Sequence, residues 1–229
     1  MKILIVAELN REAVALRERL KFDHQIENNY ASYKYANLAI DILITGIGSV
    51  FMTYNLQRAF NMVNYDLVIN IGTAGSFDHF LEQGFVVNVI RDQFADLGIQ
   101  QSDKFYTLTE MELMNENEFP FVASTLNSLG NYELEEIESL IPVKSVTVNS
   151  IRSDPGWIAM IKDKFEPEIV TMSGAAFFYT CLHEKVPFLQ IRAVSNFVEI
   201  RRIENWNIPK AIDNLTGSII SIFDELKID

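Results

Sequence analysis

Glu12, near the start of the sequence, is a side chain that could carry out acid-base chemistry. It lies in NREAVAL, which begins three positions after the end of the apolar run KILIVA at 2–7. In the first turn of a helix capped by Asn10, its carboxylate would stabilise the helix dipole. The same carboxylate would face the carboxyl end of the adjoining sheet, where it can act as a general base toward water. The residues alone leave both interpretations of Glu12 open.

Two glycine-containing segments follow later strand-like runs. TGIGSV at 45–50 brings Gly46 to a strand end, where backbone amides can approach a ligand closely. It lacks the third glycine of a dinucleotide fingerprint, and the acidic residue expected about 20 positions on is at best Asp66. NIGTAGSF at 70–77 supplies Gly72 and the hydroxyl of Thr73. That segment suits a ligand site or a tight strand-to-helix turn equally well.

Two further segments combine strand ends with polar side chains. VTMSGAAF at 170–177 offers the hydroxyls of Thr171 and Ser173 on either side of Met172, and no charged group. IRAVSNFVE at 191–199 contains Asn196, whose carboxamide both donates and accepts hydrogen bonds and can recognise a heterocycle. A turn or helix cap is the alternative role for Asn196. Ligands of open α/β sheets bind beyond the carboxyl ends of the strands, so all these segments belong to one candidate site.

Metal and nucleophile chemistry receive little support from the sequence. His24, His79 and His183 have no metal-ligand spacing, and the lone cysteine, Cys181, suits a small core residue. The chain has no Gly-x-Ser-x-Gly elbow and no Walker phosphate loop. We therefore expect neither a metal nor a cofactor.

Composition restricts the class of partner. The chain has 229 residues, 48% of them hydrophobic, and a formal net charge of -12. Acidic residues spread along the chain disfavour nucleic acid and anionic membrane surfaces, so we expect a small, neutral or weakly charged ligand. The apolar start ILIVA is too short for a signal segment, and no run approaches a membrane span. These features predict a cytoplasmic protein.

Apolar runs alternate with helical patterns along the chain. Strands are predicted at 2–7, 38–46, 66–72, 85–90, 143–148, 168–172 and 188–194, and helices at about 10–20, 49–61, 154–164, 174–185 and 208–226. The alternation predicts a single α/β domain over 1–229, with a largely parallel or mixed sheet covered on both faces. The polar stretch 97–140 breaks the rhythm and is predicted to be a long loop or an excursion carrying site residues.

The ordered segments MKILIVAELNRE, TGIGSV, VINIGTAG, DQFADLG, MSGAAF and IRAVSNFVE together resemble the purine nucleoside phosphorylase and nucleosidase superfamily. DQFADLG at 92–98 and the tail from Arg192 through Asn196, Arg201 and Trp206 most resemble futalosine hydrolase, with the methylthioadenosine/adenosylhomocysteine nucleosidases as near relatives. The resemblance implies a three-layer sandwich with a central mixed sheet of the phosphorylase/hydrolase type. It also implies hydrolysis of an N-glycosidic bond by water, with hypoxanthine released from futalosine in menaquinone biosynthesis.

Several residue roles follow from the resemblance. Glu12 matches the water-activating glutamate, Thr73 a hydroxyl residue that helps to hold the water, and Met172 the methionine against the ribose. Ser150 and Ile151 match a segment that grips the base. The other implied substrate contacts are Gly46, Gly72, Thr171, Ser173 and Phe105. Phe105 and Tyr106 would form a lid in a homodimer or higher homo-oligomer, although plain packing suits them equally.

Asn196 stands where adenine-directed nucleosidases carry an aspartate. A carboxamide can donate to a 6-oxo group and accept from a protonated ring nitrogen, so Asn196 favours hypoxanthine or guanine over adenine. Phosphorolysis is the neighbouring reaction of the superfamily. Its phosphate-binding arginine is replaced by Asn70, while Arg11 remains a possible source of positive charge near the anion position.

The elbow at 171–173 departs from the family. The family has Glu-Met-Glu, whose second glutamate holds the ribose hydroxyls, whereas this chain has Thr171, Met172 and Ser173. Losing a hydrogen bond to a charged acceptor costs about 1.5–3 kcal/mol. Three hypotheses follow: a nucleosidase impaired or compensated by another group, an enzyme for a deoxynucleoside or an otherwise modified ribosyl substrate, and a non-catalytic purine or nucleoside-binding protein.

Overall fold

The computed structural model describes residues 1–102, 104–129, 133–199 and 206–227. The strands are β1 (Lys2–Ala7), β2 (Lys21–Glu27), β3 (Tyr30–Tyr35), β4 (Leu38–Ile44), β5 (Leu67–Ser76), β6 (Val86–Asp92), β7 (Gly98–Gln101), β8 (Lys104–Thr107), β9 (Leu126–Asn127), β10 (Ile141–Thr147), β11 (Ile169–Thr171) and β12 (Phe188–Phe197). The helices are α1 (Asn10–Arg17), α2 (Ser49–Met62), α3 (Glu135–Ser139), α4 (Pro155–Phe165), α5 (Gly174–Glu184) and α6 (Ile208–Leu226).

A mixed sheet forms the middle layer, which confirms the predicted fold class. Its strand order is β11-β10-β6-β12-β5-β1-β4-β3-β2, with β9 paired to β6. The central strands β12, β5, β1 and β4 are mutually parallel, so their carboxyl ends meet at one edge. β11 also pairs with β5 in the antiparallel sense, which brings the elbow after β11 to that edge.

Helices cover both faces of the sheet. One core cluster joins apolar residues of α2 and α5 to the sheet, and a second joins those of α1 and α6 to the opposite face. A third, smaller cluster packs α4 against β10 and β11. The central strands are apolar at nearly every position, so both faces of the sheet can be buried beneath helices. Among the described residues, no helix is both long and apolar enough to cross a bilayer.

The strand and helix predictions are confirmed for the regular part of the chain, with three corrections. The sequence pattern did not predict the hairpin of β2 and β3. The stretch 97–140 is not simply a loop, because it holds β7, β8, β9 and α3. NIGTAGSF is not a strand-to-helix turn, because β5 continues without interruption through Gly72 and Thr73 to Ser76.

Candidate active site

Glu12 joins the start of α1 to the edge of β5. Only 5% of the Glu12 surface is exposed to solvent. One carboxylate oxygen, Oε2, accepts from the amide of Leu9 at 2.9 Å and closes the first turn of the helix. The other, Oε1, accepts from the amide of Thr73 at 3.1 Å and lies 3.4 Å from its hydroxyl. Glu12 therefore stabilises the helix with one oxygen and faces the strand ends with the other.

The cap of α1 differs from the predicted one. Helix α1 begins at Asn10, and the N-cap is Leu9, whose backbone supplies the capping contacts. The Asn10 side chain instead accepts from Arg17 on the outer surface of the helix. The prediction of an Asn10 cap was wrong. The helix starts one residue earlier than predicted, because the Glu12 side chain accepts from the amide of Leu9 and makes Leu9 the N-cap.

Arg192 lies beside Glu12 and is fully buried. The parallel register of β12 and β5 places it opposite Gly72. A Cβ atom on Gly72 would collide with Nη1 of Arg192 and would lie 3.0 Å from Oε1 of Glu12. The missing side chain of Gly72 thus makes room for the guanidinium. None of the three guanidinium nitrogens hydrogen-bonds to another described residue, so the donor capacity of this buried cation is unused within the described part of the chain.

Glu8 brings a second carboxylate to the same edge. It follows β1 directly, is 8% exposed, and accepts from the hydroxyl of Ser173 at 2.6 Å. Arg192 Nη2 lies 4.0 Å from Glu8 Oε1. Burial raises the pKa of Glu8, while Arg192 and Ser173 oppose that rise. The site therefore contains two acidic groups around one guanidinium.

Glu8 was not predicted as a site residue, and Arg192 was named only in the family resemblance, without a site role. A signal was present for each, because an ionisable residue in or directly after a buried strand needs a partner or a function. Arg192 interrupts the apolar run FLQIRAV, and Glu8 ends ILIVAE. Which side chains they meet depends on the strand order and could not be predicted from either run.

A second polar cluster lies under the elbow at 171–174. Asp92, which is fully buried, accepts from Gln190 Nε2 at 3.1 Å and from the hydroxyl of Thr147 at 2.9 Å. The Thr147 oxygen accepts from the amide of Ala175, and the Thr171 oxygen accepts from the amide of Gly174. Burial raises the pKa of Asp92 to about 6 against these donors. The cluster fixes the start of α5, and with it the position of Ser173.

Asn196 lies near the end of β12, where the pairing with β5 shifts by one residue. It is half-buried, accepts from the hydroxyl of Ser195 at 2.9 Å and donates to the carbonyl of Phe197 at 3.1 Å. Both contacts are to neighbours in the chain, so one N–H and one acceptor lone pair remain. Asn196 is part of a strand, and the alternative of a cap or turn is wrong.

The segment predicted to grip the base lies beside the end of β12. Ile151 packs against a cluster that includes Phe77, Trp157 and Val198. Val198 is two residues beyond Asn196, so the structure brings Ile151 toward the same end of the site. Ser150 is exposed.

The remaining predicted residues occupy different surroundings. Gly46 has a φ of 89° and donates its amide to the carbonyl of Glu8 at 3.1 Å, which places it at the same edge. Met172 is half-buried between Thr171 and Ser173. The Thr171 hydroxyl belongs to the cluster under the elbow. The ring of Phe105 is buried in the β7–β8 hairpin, with the Lys164 ammonium 5.7 Å from its centre. Arg201 lies outside the described residues.

An apolar cleft of about 880 Å³ lies on the α2–α5 side of the molecule. It is lined by α2, α5 and the segments around 94–97 and 114–121. Ser49, in its wall, follows Gly48, whose amide lies 3.4 Å from Oε2 of Glu8. In the part of the chain that the structure describes, no cluster of three or more His, Cys, Asp or Glu side chains is suited to a metal ion.

Known proteins resemble the chain over nearly its whole length. The 5'-methylthioadenosine/S-adenosylhomocysteine nucleosidase of Bacillus pumilus is 29% identical over 207 residues, which cover 86% of each chain. The enzyme of the same name from Bacillus thuringiensis (strain Al Hakam) is 27% identical over 239 aligned positions, covering 99% of this chain and 100% of its own.

Solved structures share the fold. The same type of nucleosidase from S. pneumoniae, solved with the transition-state inhibitor MT-ImmA, superimposes with a TM-score of 0.81 at 19% identity, covering 99% of this chain and 100% of its own. The futalosine hydrolase of Helicobacter pylori strain 26695 gives a TM-score of 0.80 at 16% identity, covering 98% of both chains. The family model described as Phosphorylase superfamily matches residues 2–220. The chain therefore belongs to the phosphorylase superfamily.

Proposed function

We propose that the protein is a purine nucleosidase that hydrolyses the N-glycosidic bond of a 6-oxopurine nucleoside. The observation that carries the proposal is that the Glu12 carboxylate, held by Thr73, and the buried guanidinium of Arg192 both border the space left by the missing side chain of Gly72. Relatives that match 86% and 99% of the chain are nucleosidases. The DQFADLG segment and Asn196 favour futalosine as the substrate and hypoxanthine as the released base, a reaction of menaquinone biosynthesis.

Glu12 and Arg192 supply complementary parts of water activation. Arg192 donates to the oxygen of a water molecule, and Glu12 takes one of its protons. The water oxygen then bonds to the anomeric carbon as the bond from that carbon to the base breaks. The electron pair of the broken bond leaves with the purine, which takes up a proton from solvent, while Glu12 returns its proton to solvent. Nucleoside and water thus give free sugar and free base.

Asn196 supports recognition of the purine at the other end of the site. Its remaining N–H can donate to a 6-oxo group, and its oxygen can accept from a protonated ring nitrogen. An adenine would present an amino group where Asn196 offers a donor. A mismatch of this kind leaves buried polar groups unpaired and discriminates strongly between bases.

The charges favour hydrolysis over phosphorolysis. Glu8 and Glu12 outnumber the guanidinium of Arg192 at the strand ends. Asn70 is buried and donates to Gln190, and Arg11 is exposed on α1. A phosphate dianion would meet two carboxylates and one cation there, which is an unfavourable balance.

The direct test is incubation of the purified protein with futalosine, with and without inorganic phosphate, followed by chromatography of the free base. We expect hypoxanthine to be released at the same rate in both conditions. Release that depends on phosphate would instead establish a phosphorylase. Absence of release above the uncatalysed level, together with binding of hypoxanthine, would establish the non-catalytic alternative.

The base preference has its own test in Asn196→Asp. An aspartic acid can accept from the 6-amino group of adenine, so the variant should shift the ratio of kcat/KM from inosine toward adenosine by about 10-fold or more. The matched control is Asn64→Asp, an exposed amide between α2 and β5. An unchanged ratio in Asn196→Asp would remove Asn196 from base recognition.

We also propose that a second copy of the chain covers the apolar cleft. Val50, Tyr54 and Phe119 line it and are 78%, 63% and 62% exposed. Three such side chains around one cleft form an apolar patch of the kind that marks protein interfaces. Tyr54→Glu should convert a dimer into a monomer in sedimentation experiments. The same change at Phe80, which is 89% exposed elsewhere, is the control.

A further inference from the structure

Glu8 makes an unexpected contact with the family's ribose-binding elbow. Ser173 occupies the position at which the resemblance implies a glutamate, and its hydroxyl donates to Glu8 Oε1 at 2.6 Å. The two residues are 165 positions apart in the chain. A carboxylate is therefore present at the elbow, supplied by the end of β1 instead of by the elbow itself.

The surroundings of Glu8 leave part of its hydrogen-bonding capacity unused. A carboxylate can accept about four hydrogen bonds. Oε1 accepts one short bond from Ser173, and Oε2 has a long contact of 3.4 Å with the amide of Gly48. Arg192 provides charge compensation at 4.0 Å but no hydrogen bond. Because a buried carboxylate is costly, its retention with spare acceptor sites points to a ligand that donates to it.

The ligand groups that suit Glu8 are neutral hydroxyls. Its two oxygens accept only, so they match a pair of adjacent O–H donors. An anionic ligand is disfavoured because Glu12 lies close enough to act electrostatically on Glu8. A ribose has such a pair at its 2' and 3' carbons, and its anomeric carbon would then lie toward Glu12.

We propose that Glu8 binds the ribose 2' and 3' hydroxyls, and that Ser173 is a positioning residue that orients the Glu8 carboxylate. This inference rests on the proposed nucleosidase function and adds the source of sugar recognition. A second consequence concerns rate. A carboxylate beside the sugar stabilises the positive charge that develops on the ribose as the base departs. The elbow's lost carboxylate is thus compensated from another strand.

The first experiment compares Glu8→Gln with the wild type on inosine and 2'-deoxyinosine. Glutamine keeps the size of the side chain and an oxygen that can accept from Ser173. We expect kcat/KM for inosine to fall by about 10- to 150-fold, and that for 2'-deoxyinosine to fall much less. The control is Glu18→Gln, an exposed carboxylate directly after α1. Equal losses on both substrates would overturn the assignment of Glu8 to the hydroxyls.

The second experiment moves the carboxylate back to the elbow. Glu8→Ala combined with Ser173→Glu should recover at least about 10-fold of the inosine activity that Glu8→Ala loses, because a carboxylate again reaches the same space. Ser173→Glu alone places two carboxylates together and should lower activity. A double variant that is folded by circular dichroism but no more active than Glu8→Ala would contradict the proposal.

Binding measurements separate failure of this inference from failure of the proposed function. By calorimetry, the wild type should bind inosine about 10- to 150-fold more tightly than 2',3'-dideoxyinosine, and Glu8→Gln should abolish the difference. If the wild type binds with this preference but hydrolyses nothing, the enzyme function fails and the Glu8 inference stands. If Glu8→Gln keeps the preference, the Glu8 inference fails alone. A wild type that binds neither compound overturns both.

Discussion

Two buried polar clusters lie on either side of the elbow, and they differ in how far their hydrogen bonds are satisfied. Under the elbow, Asp92 receives bonds from Gln190, Thr147 and the amide of Gln93. At the strand ends, Arg192 has three guanidinium nitrogens without a hydrogen-bond partner among the described residues. In the cluster around Asp92, here called the lower cluster, nearly all polar groups are hydrogen-bonded within the protein. The cluster of Glu8, Glu12 and Arg192, here called the upper cluster, keeps unpaired guanidinium donors.

The difference separates a structural role from a chemical one. Buried polar groups are normally paired, so a closed cluster such as that of Asp92 rigidifies the start of α5. In the lower cluster, Asn70 Oδ1 is the exception, since it lacks a partner within the described ranges. A fully buried guanidinium with no hydrogen bond is far more costly and is retained where function requires it. Mutations in the lower cluster should therefore mainly affect stability, whereas mutations in the upper cluster should mainly affect the catalytic rate.

The largest effect is expected from Glu12→Gln in the upper cluster. Losing the general base should lower kcat on futalosine by about 1,000-fold, within the usual range for this kind of catalysis. The melting temperature should change little, because glutamine preserves the size of the side chain. The control is again Glu18→Gln. A kcat within tenfold of the wild type would remove Glu12, and with it the upper cluster, from catalysis.

Gly72→Ala should affect both rate and stability. The added methyl group would collide with Arg192 Nη1, and displacing the guanidinium should lower kcat/KM by about 100-fold. Overpacking should reduce the free energy of unfolding by about 1–3 kcal/mol, measured with urea. Gly217→Ala is the matched control, because its Cβ would meet nothing within 4 Å in α6. It should stabilise the protein by at most about 1 kcal/mol. Wild-type kinetics in Gly72→Ala would contradict the placement of Arg192.

The smallest effect on rate is expected from Asp92→Asn in the lower cluster. Burial raises the pKa of Asp92 to about 6 from its ordinary 3.8. The folded state therefore binds the proton more tightly than the unfolded state, and the stabilisation is complete only below the ordinary pKa. This stabilisation is lost as pH rises from 3.8 through about 6. Relative to Asp92→Asn, the wild type should lose at most about 3 kcal/mol of unfolding free energy across this range.

Urea unfolding of both proteins between about pH 3 and about pH 7.5 measures this difference. Asp213→Asn, an exposed change on α6, controls for the altered net charge. Activity of Asp92→Asn should stay within about tenfold of the wild type, because the amides of Gln190 and Asn70 can reverse to accept and donate in turn. If the wild type instead gained unfolding free energy relative to Asp92→Asn as pH rises, burial would not be the dominant influence on the pKa of Asp92.

The sequence predicted the regular elements well where they are buried. The apolar runs of β1, β5 and β12 and the amphipathic pattern of α6 have clear periodicities, and the helix predicted at 208–226 matches the observed one. The hairpin of β2 and β3 was missed because β2 is almost entirely exposed and carries no apolar alternation. β2 is held to β3 by backbone hydrogen bonds, which a pattern of side-chain types does not reveal.

Part of the site could also be predicted. Glu12, Gly72 and Thr73 follow strand-like runs, and the structure brings them together at one edge. Phe105 was placed in the site by resemblance, and its described contacts are within the hairpin and with Lys164. Glu8 and Arg192 were not assigned site roles because their importance depends on the groups they face across strands.

By itself, the sequence determined the alternation of buried strands and helices and the polar residues that end the strands, because periodicity and glycine placement are local properties. Only the tertiary structure decided which of those residues meet. The parallel register of β5 and β12 sets Arg192 opposite Gly72. The pairing of β11 with β5 brings Ser173 to the edge where Glu8 ends β1. Such contacts follow from strand order, which joins residues that no local pattern relates.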